Sequence, residues 1–398
     1  MLCKRSSKLY LLLLLALSPG LGEVVQASDP SAARVAPSDL AARFLRLQDA
    51  LVLYRAIDAR GGWPQIPARR TLRPGAAGPD VAILHHRLSV SGDLSELAVR
   101  PDRYVGNLVD AVERFQRRHG LVADGIIGPK TRAALNVPAR QRIVQLAINL
   151  ERRRRIQDDL GRRYVFINIA DAVVKYVEEA KTLLDMRAVV GTPYRKTPTF
   201  SALMTEIRFN PSWYVPRRIL REDVMPKILR DPSYLAREGF EVLSGGGAAA
   251  RVIDGSTIDW LHFATARFPY LLRQAPGPGN ALGQVKFQIP NRHNIYLHDT
   301  PARALLIRPQ RAFSSGCIRL EKPLELASAL LRDQADWSAD RIKQVVARAR
   351  PVTVHLARPV PVHFTYLTAW VNKDGTVHFR DDIYDRDRAL ARRLSLPY

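Results

Sequence analysis

The chain has 398 residues, 46% of them hydrophobic and 25% charged, with a formal net charge of +23. That balance excludes a disordered polyelectrolyte and supplies both packed cores and a soluble surface, while the length exceeds one ordinary core, so two or three domains are expected. The strong basicity concentrates polyanions at the surface.

Residues 1–27 carry Lys4, Arg5 and Lys8, an apolar run from Leu9 to Leu17, a break at Pro19-Gly20, and the small-residue pattern Val25-Gln26-Ala27. This is the layout of a secretory signal peptide. The run is well short of the roughly 20 residues a spanning helix needs, so export to the periplasm without stable membrane insertion is expected, with a retained anchor as the alternative. Outside the cytoplasm the polyanions within reach are wall polymers with free carboxylates and anionic lipid head groups, not nucleic acid. Cys3 leaves with the signal, and Cys317 remains the one thiol, with no disulfide partner. A lone thiol in an oxidising compartment is a liability unless it is inertly buried or used.

Residues 28–73 read as a helical N-terminal scaffold, with Leu40, Phe44, Leu47, Leu51 and Tyr54 at helical spacing and Gly61-Gly62-Trp63-Pro64 ending it. Residues 74–137 predict three short helices. Val81, Leu84 and Leu88 mark the first, Val109, Val112 and Phe115 the second, and Pro129 opens the third after the turn Asp124-Gly125. Residues 138–160 read as a linking amphipathic helix with Ile143, Leu146, Leu150 and Ile156 on one side, packing with the scaffold.

From Tyr164 the pattern becomes β. YVFINIA, AVVKYVEE, MRAVVG, MTEIRF, GQVKFQI and NIYLHD are short strands, helices interrupt at about 322–333 and 339–349, and a hairpin turns at 372–375. The catalytic unit is placed at 162–356, with a C-terminal β-hairpin extension at 357–398. Within it, 210–283 is a candidate lid, carrying a helical stretch, the tract GGGAAA and the flexible APGPGN. The last eighteen or so residues suggest no element. The fold class is multidomain α+β: a small three-helix domain, a mostly β catalytic domain with an inserted lid subdomain, and a helical scaffold.

The stretch IYLHDTPARALLIRPQRAFSSGCIRL, residues 295–320, carries the chemistry. A cysteine nucleophile needs a base, a group that orients the base, and donors for an oxyanion. His298 ends a strand, and the carbonyl or carboxylate of Asp299 is positioned to orient its ring. Cys317 follows in Ser315-Gly316-Cys317, where glycine permits close backbone approach. Ser315 reads as loop support or a turn cap. Arg319 reads as a ligand for a substrate carboxylate or as the partner of an internal acid. Tyr296 shares the strand face of His298 and lines a pocket or fills core, and Trp213 stands at the lid entry. Zinc held by His293, His298 and Cys317 is a competing reading without a fourth ligand.

Two resemblances sharpen this. VERFQRRHGLVADGIIGPKTRAALN resembles the three-helix peptidoglycan-binding domain, whose hallmark is FQ-x-x-x-GL-x-x-DG-x-x-G-x-x-T-x-x-AL. The Ser-Gly-Cys-Ile-Arg element after His298 resembles the catalytic motif of L,D-transpeptidases. VGTPYRKTPTF, FNPSWYVP, ILREDVMPKI and HFTYLTAWVNKDGTVHFRDDIY extend the likeness to that family's large multidomain subgroup, with Ser315 where smaller members place histidine. The resemblance implies an acyltransferase without metal or organic cofactor. Cys317 would attack a tetrapeptide stem and form a thioester, His298 would act as base then acid, and the Gly316 and Cys317 amides would hold the oxyanion. The implied partners are stem peptides and glycan strands, with other wall-synthesis enzymes as possible associates. Rival readings are an L,D-carboxypeptidase or endopeptidase, and a non-catalytic wall-binding protein with a relic cysteine.

Overall fold

The computed structural model describes residues 39–67, 70–95, 100–156, 160–246 and 250–397. The signal-peptide reading of 1–27, scaffold residues 28–38 and part of the GGGAAA tract lie outside the described residues. No described helix is long and apolar enough to cross a membrane.

Helix α1 (Asp39–Ala59) packs along α5 (Ala139–Arg154). Leu47, Leu51 and Tyr54 of α1 meet Leu146 and Leu150 of α5. Between them in sequence, α2 (Pro79–Val90), α3 (Asn107–Arg118) and α4 (Pro129–Leu135) enclose their own core of Val81, Leu84, Leu88, Val112, Phe115, Ile127 and Leu135. The turn after α3 is held by one buried amide. Gln116 Nε2 donates to Asp124 Oδ1 (2.9 Å), Ile126 O (3.0 Å) and Thr131 Oγ1 (3.2 Å), while its Oε1 accepts from Gly125 N (2.9 Å). Every polar position of the FQ…DG…T pattern thus satisfies another, as burial requires.

The mostly β domain starts with β1 (Arg163–Asn168), β2 (Val173–Glu178), β3 (Lys181–Gly191) and β4 (Phe200–Phe209). An insert follows: β5 (Trp213–Tyr214), α6 (Arg217–Ile219), α7 (Met225–Arg230), α8 (Tyr234–Arg237), β6 (Phe240–Leu243), β7 (Val252–Ile253), α9 (Trp260–Phe263) and β8 (Leu271–Gln274). Its strands form a separate sheet in the order β5-β8-β6-β7 over a core that includes Leu220, Met225, Ile228, Val242 and Leu272. Between α6 and α7 the chain winds as a π-helix over Leu220–Val224. Pro226, two residues beyond, lacks an amide hydrogen and crowds the preceding turn, which is the local cause of the widening.

The main sheet resumes with β9 (Val285–Gln288), β10 (Leu297–His298), β11 (Ala312–Ser314) and β12 (Ile318–Leu320). Helices α10 (Pro323–Leu331) and α11 (Ala339–Ala347) precede the long β13 (Val352–Thr365). Strand order is β11-β3-β12-β10-β9-β4-β13-β1-β2, and a further β2–β3 pairing closes the eight strands from β3 to β2 into a cycle, with β11 outside it on β3. One expected boundary moves: β13 runs through position 357 and pairs with both β1 and β4. The strand carries Arg358-Pro359 in a register shift between His355 and Val360. The C-terminal extension therefore begins after Thr365, with β14 (Ala369–Val371), β15 (Val377–Phe379) and a helix the sequence did not suggest, α12 (Arg386–Arg393).

The hairpin joins the modules. Ala369, Val371 and Phe379 complete the α1–α5 core. Gln145 Nε2 donates to the carbonyls of Thr368 (3.0 Å) and Arg380 (2.9 Å), and Arg380 ion-pairs with Asp171 while donating to the Arg118 carbonyl at 3.0 Å. Arg118 in turn forms a bidentate pair with Asp93, both side chains under 10% exposed, and reaches Val377 O. Breaking a buried pair strands a charge, so Asp93→Ala is expected to lower unfolding free energy by about 3–5 kcal/mol, read by urea denaturation.

Candidate active site

Strand register assembles the site. β10 lies parallel to β12 and antiparallel to β9, pairing His298 with Arg319 on one side and with Lys286 on the other. β9 continues to β4, where Lys286 pairs with Arg208. Residues opposite in register share a face, so Arg208, Lys286, His298 and Arg319 form one row across four strands. Leu297, Ile318, Phe287 and Ile207, one position off, are fully buried in the core beneath. The next rung brings Tyr296 beside Cys317, with Ile318 N donating to Tyr296 O at 3.1 Å. His298, Arg319, Tyr296, Cys317 and Lys286 all line one cavity of about 860 Å³, roofed by Trp213 and other insert residues.

His298 is 5% exposed, and its Nδ1 lies 2.5 Å from the backbone carbonyl of Asp299. A carbonyl only accepts, so the proton is assigned to Nδ1, leaving Nε2 as the basic nitrogen. Of the two orienting groups expected at Asp299, the carbonyl takes the role. The carboxylate accepts from Gln284 N (2.9 Å) and Arg303 Nη1 (3.3 Å).

The electrostatics differ from a preformed thiolate–imidazolium pair. Burial, reinforced by the Arg319 and Lys286 charges, lowers the His298 pKa to about 3, against the Asp299 hydrogen bond. Burial also pushes the Cys317 thiol up, opposed by Tyr296, Lys286 and Arg319. Both shifts favour the neutral forms of the two groups. The Tyr296 hydroxyl sits against both the thiol and Trp213, and burial holds its own pKa well above the usual phenol range. Cys317 Sγ also lies 3.9 Å from Asn294 O.

Around the nucleophile, two expected roles change hands. Ser314, not Ser315, braces the loop: its Oγ donates to Cys317 O (2.6 Å) and accepts from Gly316 N (3.1 Å). The Gly316 amide, expected to face an oxyanion, is therefore engaged by Ser314, because φ of +121° at Gly316 turns it back toward that hydroxyl. Ser315 is exposed and accepts from Arg195 Nη1 at 2.7 Å. Arg195 also ion-pairs with Glu222 (2.6 Å) and Asp223, joining the insert's π-helical turn to the nucleophile loop. The internal acid expected as an alternative partner for Arg319 does not appear: its Nε is buried without a hydrogen-bond partner, and no described ion pair includes it. Neither does the zinc cluster: among the described residues no group of three suitable ligands exists, and His293 instead packs on Phe200.

Sequence reasoning missed a second layer. Thr197 Oγ1 accepts from Gly191 N (2.9 Å) and donates to Gly316 O (2.8 Å). Tyr384 Oη donates to Gly191 O (2.6 Å), Lys196 Nζ to Tyr384 O (2.8 Å), and Arg386 Nη2 to Thr197 O (2.8 Å). The C-terminal segment thus backs the loop behind the sulfur. Nothing in the sequence of that segment pointed to this role. Ser314→Ala leaves the Gly316 amide without its acceptor, a loss of about 1–3 kcal/mol in loop stability. It is expected to slow labelling of Cys317 by a β-lactam about tenfold, measured by mass spectrometry against time.

This arrangement suits acyl transfer by a base-assisted thiol. Residues 162–355 match the L,D-transpeptidase catalytic domain family, and residues 77–135 match the family described as "Putative peptidoglycan binding domain". The chain therefore carries one segment similar to the L,D-transpeptidase catalytic domain family and another similar to the peptidoglycan-binding domain family. A "Putative L,D-transpeptidase" of Haemophilus influenzae is 37% identical over 246 residues, covering 62% of this chain and 48% of that protein. The chain thus spans about half the length of this curated relative. Among solved structures, the L,D-transpeptidase of Xylanimonas cellulosilytica is 15% identical, covering 75% of this chain and 99% of the other, with a TM-score of 0.23. That of Stackebrandtia nassauensis is 12% identical, covering 79% and 99%, with a TM-score of 0.28.

Proposed function

We propose that the protein is an L,D-transpeptidase that crosslinks peptidoglycan between the diaminopimelate residues of neighbouring stems through a thioester on Cys317. The observation that carries this reading is the register placing Cys317, Tyr296, His298 and Arg319 on one cavity face, with the imidazole tautomer fixed so that Nε2 is free. Nε2 of His298 takes the thiol proton as sulfur attacks the carbonyl between the third residue and terminal D-Ala. The C–N bond breaks, His298 returns the proton to the departing amine, and a thioester remains. The acceptor's side-chain amine then attacks, His298 takes its proton, the C–S bond breaks, and the sulfur recovers the proton. The Cys317 amide is assigned to the oxyanion, since that of Gly316 is engaged.

Transfer is favoured over hydrolysis by the insert. It roofs the cavity with Trp213 and is pinned to the nucleophile loop by Arg195, which keeps water from the thioester until an amine arrives. The pattern of residues 1–27 supports export to the periplasm, where the wall is the substrate and the strongly basic surface attracts its carboxylates. Incubation with disaccharide-tetrapeptide tests this by chromatography and intact-mass spectrometry. The expected result is release of D-Ala, a transient adduct mapped to Cys317 and a dimeric product. Tripeptide without dimer indicates a carboxypeptidase, and no adduct on folded protein indicates a relic.

A further inference from the structure

We propose that Lys286 and Arg319, standing either side of His298, form a binding site for a free carboxylate of the stem peptide next to the scissile carbonyl. The proposal deepens the transpeptidase reading and rests on it.

Lys286 lies opposite His298 on β9, and Arg319 lies opposite His298 on β12. With neighbouring strands about 4.8 Å apart, the two cations stand about 10 Å apart at the backbone and bracket the base. Both side chains line the same cavity as Cys317. The ammonium of Lys286 is 4.0 Å from the centroid of the Tyr296 ring, whose hydroxyl faces the sulfur. The charge is thus held over the Tyr296 ring within the cavity.

Neither cation is in an ion pair, and Glu206, the carboxylate that acts on Lys286 from a distance, is engaged elsewhere. Arg208, the next residue of the row, pairs with Glu206. On the insert side, Glu222 and Asp223 are committed to Arg195. Among the described residues no ion pair includes Lys286 or Arg319, and the buried Nε of Arg319 has no partner. Two partly buried cations without counter-charge are costly in a cavity, and an incoming anion relieves that cost. The substrate carries such anions on both sides of the bond to be broken: the terminal carboxylate of the leaving D-Ala and the side-chain carboxylate of diaminopimelate. A carboxylate bound here also offsets the two charges that suppress the basicity of His298, so occupancy and activation of the base are linked.

The test compares three tetrapeptides: one unmodified, one amidated at the terminal carboxylate, and one amidated at the diaminopimelate side chain. Acylation kcat/KM is measured for wild type, Lys286→Met, Lys286→Gln and Lys286→Arg. Wild type is expected to prefer one carboxylate form over its amide by about 10–100-fold, as for charge-assisted hydrogen bonds in a desolvated site, and the amide that loses identifies the source. That preference ratio is expected to collapse to within about threefold in both neutral variants and to return in Lys286→Arg. Wild type indifferent to both amidations, or neutral variants that slow all three peptides equally, overturns the site while leaving the transpeptidase reading intact. A wild type acylated by no peptide and by no carbapenem overturns both.

Discussion

Replacing His298 by glutamine is expected to slow acylation of Cys317 by about 10²–10⁴-fold, the usual contribution of a positioned general base. The size follows from the resting state of the pair. Burial raises the thiol pKa, so little thiolate exists near neutrality, and nearly all turnover must pass through proton transfer to Nε2. The sign of the pH dependence follows as well. With the imidazole pKa lowered to about 3, His298 is unprotonated, and so competent as a base, throughout the range above that value. Wild-type acylation should therefore lack an acidic limb near the ordinary imidazole pKa of about 6.5 and fall only in strong acid. His298→Gln should instead gain rate steadily as pH rises and hydroxide generates thiolate without help. The groups facing the ring are Arg319, Lys286 and the Asp299 carbonyl, with the Tyr296 ring tilted alongside, centroids 5.6 Å apart. None of these is an acid that would restore a stable ion pair. Rates of β-lactam adduct formation from pH 5 to 10 check the point. An acidic limb near pH 6.5, or a variant indistinguishable from wild type, would contradict it.

How much of this was visible beforehand depended on sequence distance. The binding-domain pattern was legible because its determinants lie close together: Gln116, Asp124, Gly125 and Thr131 bond within fifteen residues of one another. The stretch 295–320 was legible for a related reason. Tyr296 and His298 alternate on one strand, Cys317 and Arg319 on another, and a single parallel pairing places all four on one face. Lys286 was not legible, because only the β9–β10 register puts it opposite His298, and nothing local in GQVKFQI marks the lysine as inward-facing. The same holds for Thr197 and Tyr384, which meet Gly316 and Gly191 across separations of 119 and 193 residues. Side-chain pattern gives the face a residue presents, whereas cross-strand partners of distant segments follow from the closed pairing cycle. The reassignment from Ser315 to Ser314 is of the first kind. In adjacent serines only the backbone turn at Gly316 decides which hydroxyl points inward.

That second layer leads to the other large expected effect. Gly191→Ala should cost about 3 kcal/mol or more in stability and at least about 10²-fold in acylation of Cys317. Gly191 ends β3 where three backbone segments converge. An added Cβ would stand 2.1 Å from the Arg195 carbonyl oxygen, 2.8 Å from Thr197 N and 3.1 Å from the Gly316 Cα. These are main-chain atoms, so no rotamer change relieves the overlap, and the Arg195–Thr197 turn must move away from the nucleophile loop. Movement breaks the Thr197 bridge from Gly191 N to Gly316 O and unseats the Tyr384 hydroxyl from Gly191 O. Shifting Gly316 by even about 1 Å misaligns the sulfur and the neighbouring amide with the carbonyl they act on, which is worth about 10² in rate. Thr197→Val separates the two consequences, since it removes the bridge without the overlap. It should reproduce part of the rate loss with a smaller change in urea midpoint. If Gly191→Ala kept wild-type acylation and stability, the loop behind the sulfur would not be held from this side, and the role assigned to the C-terminal segment would fall with it.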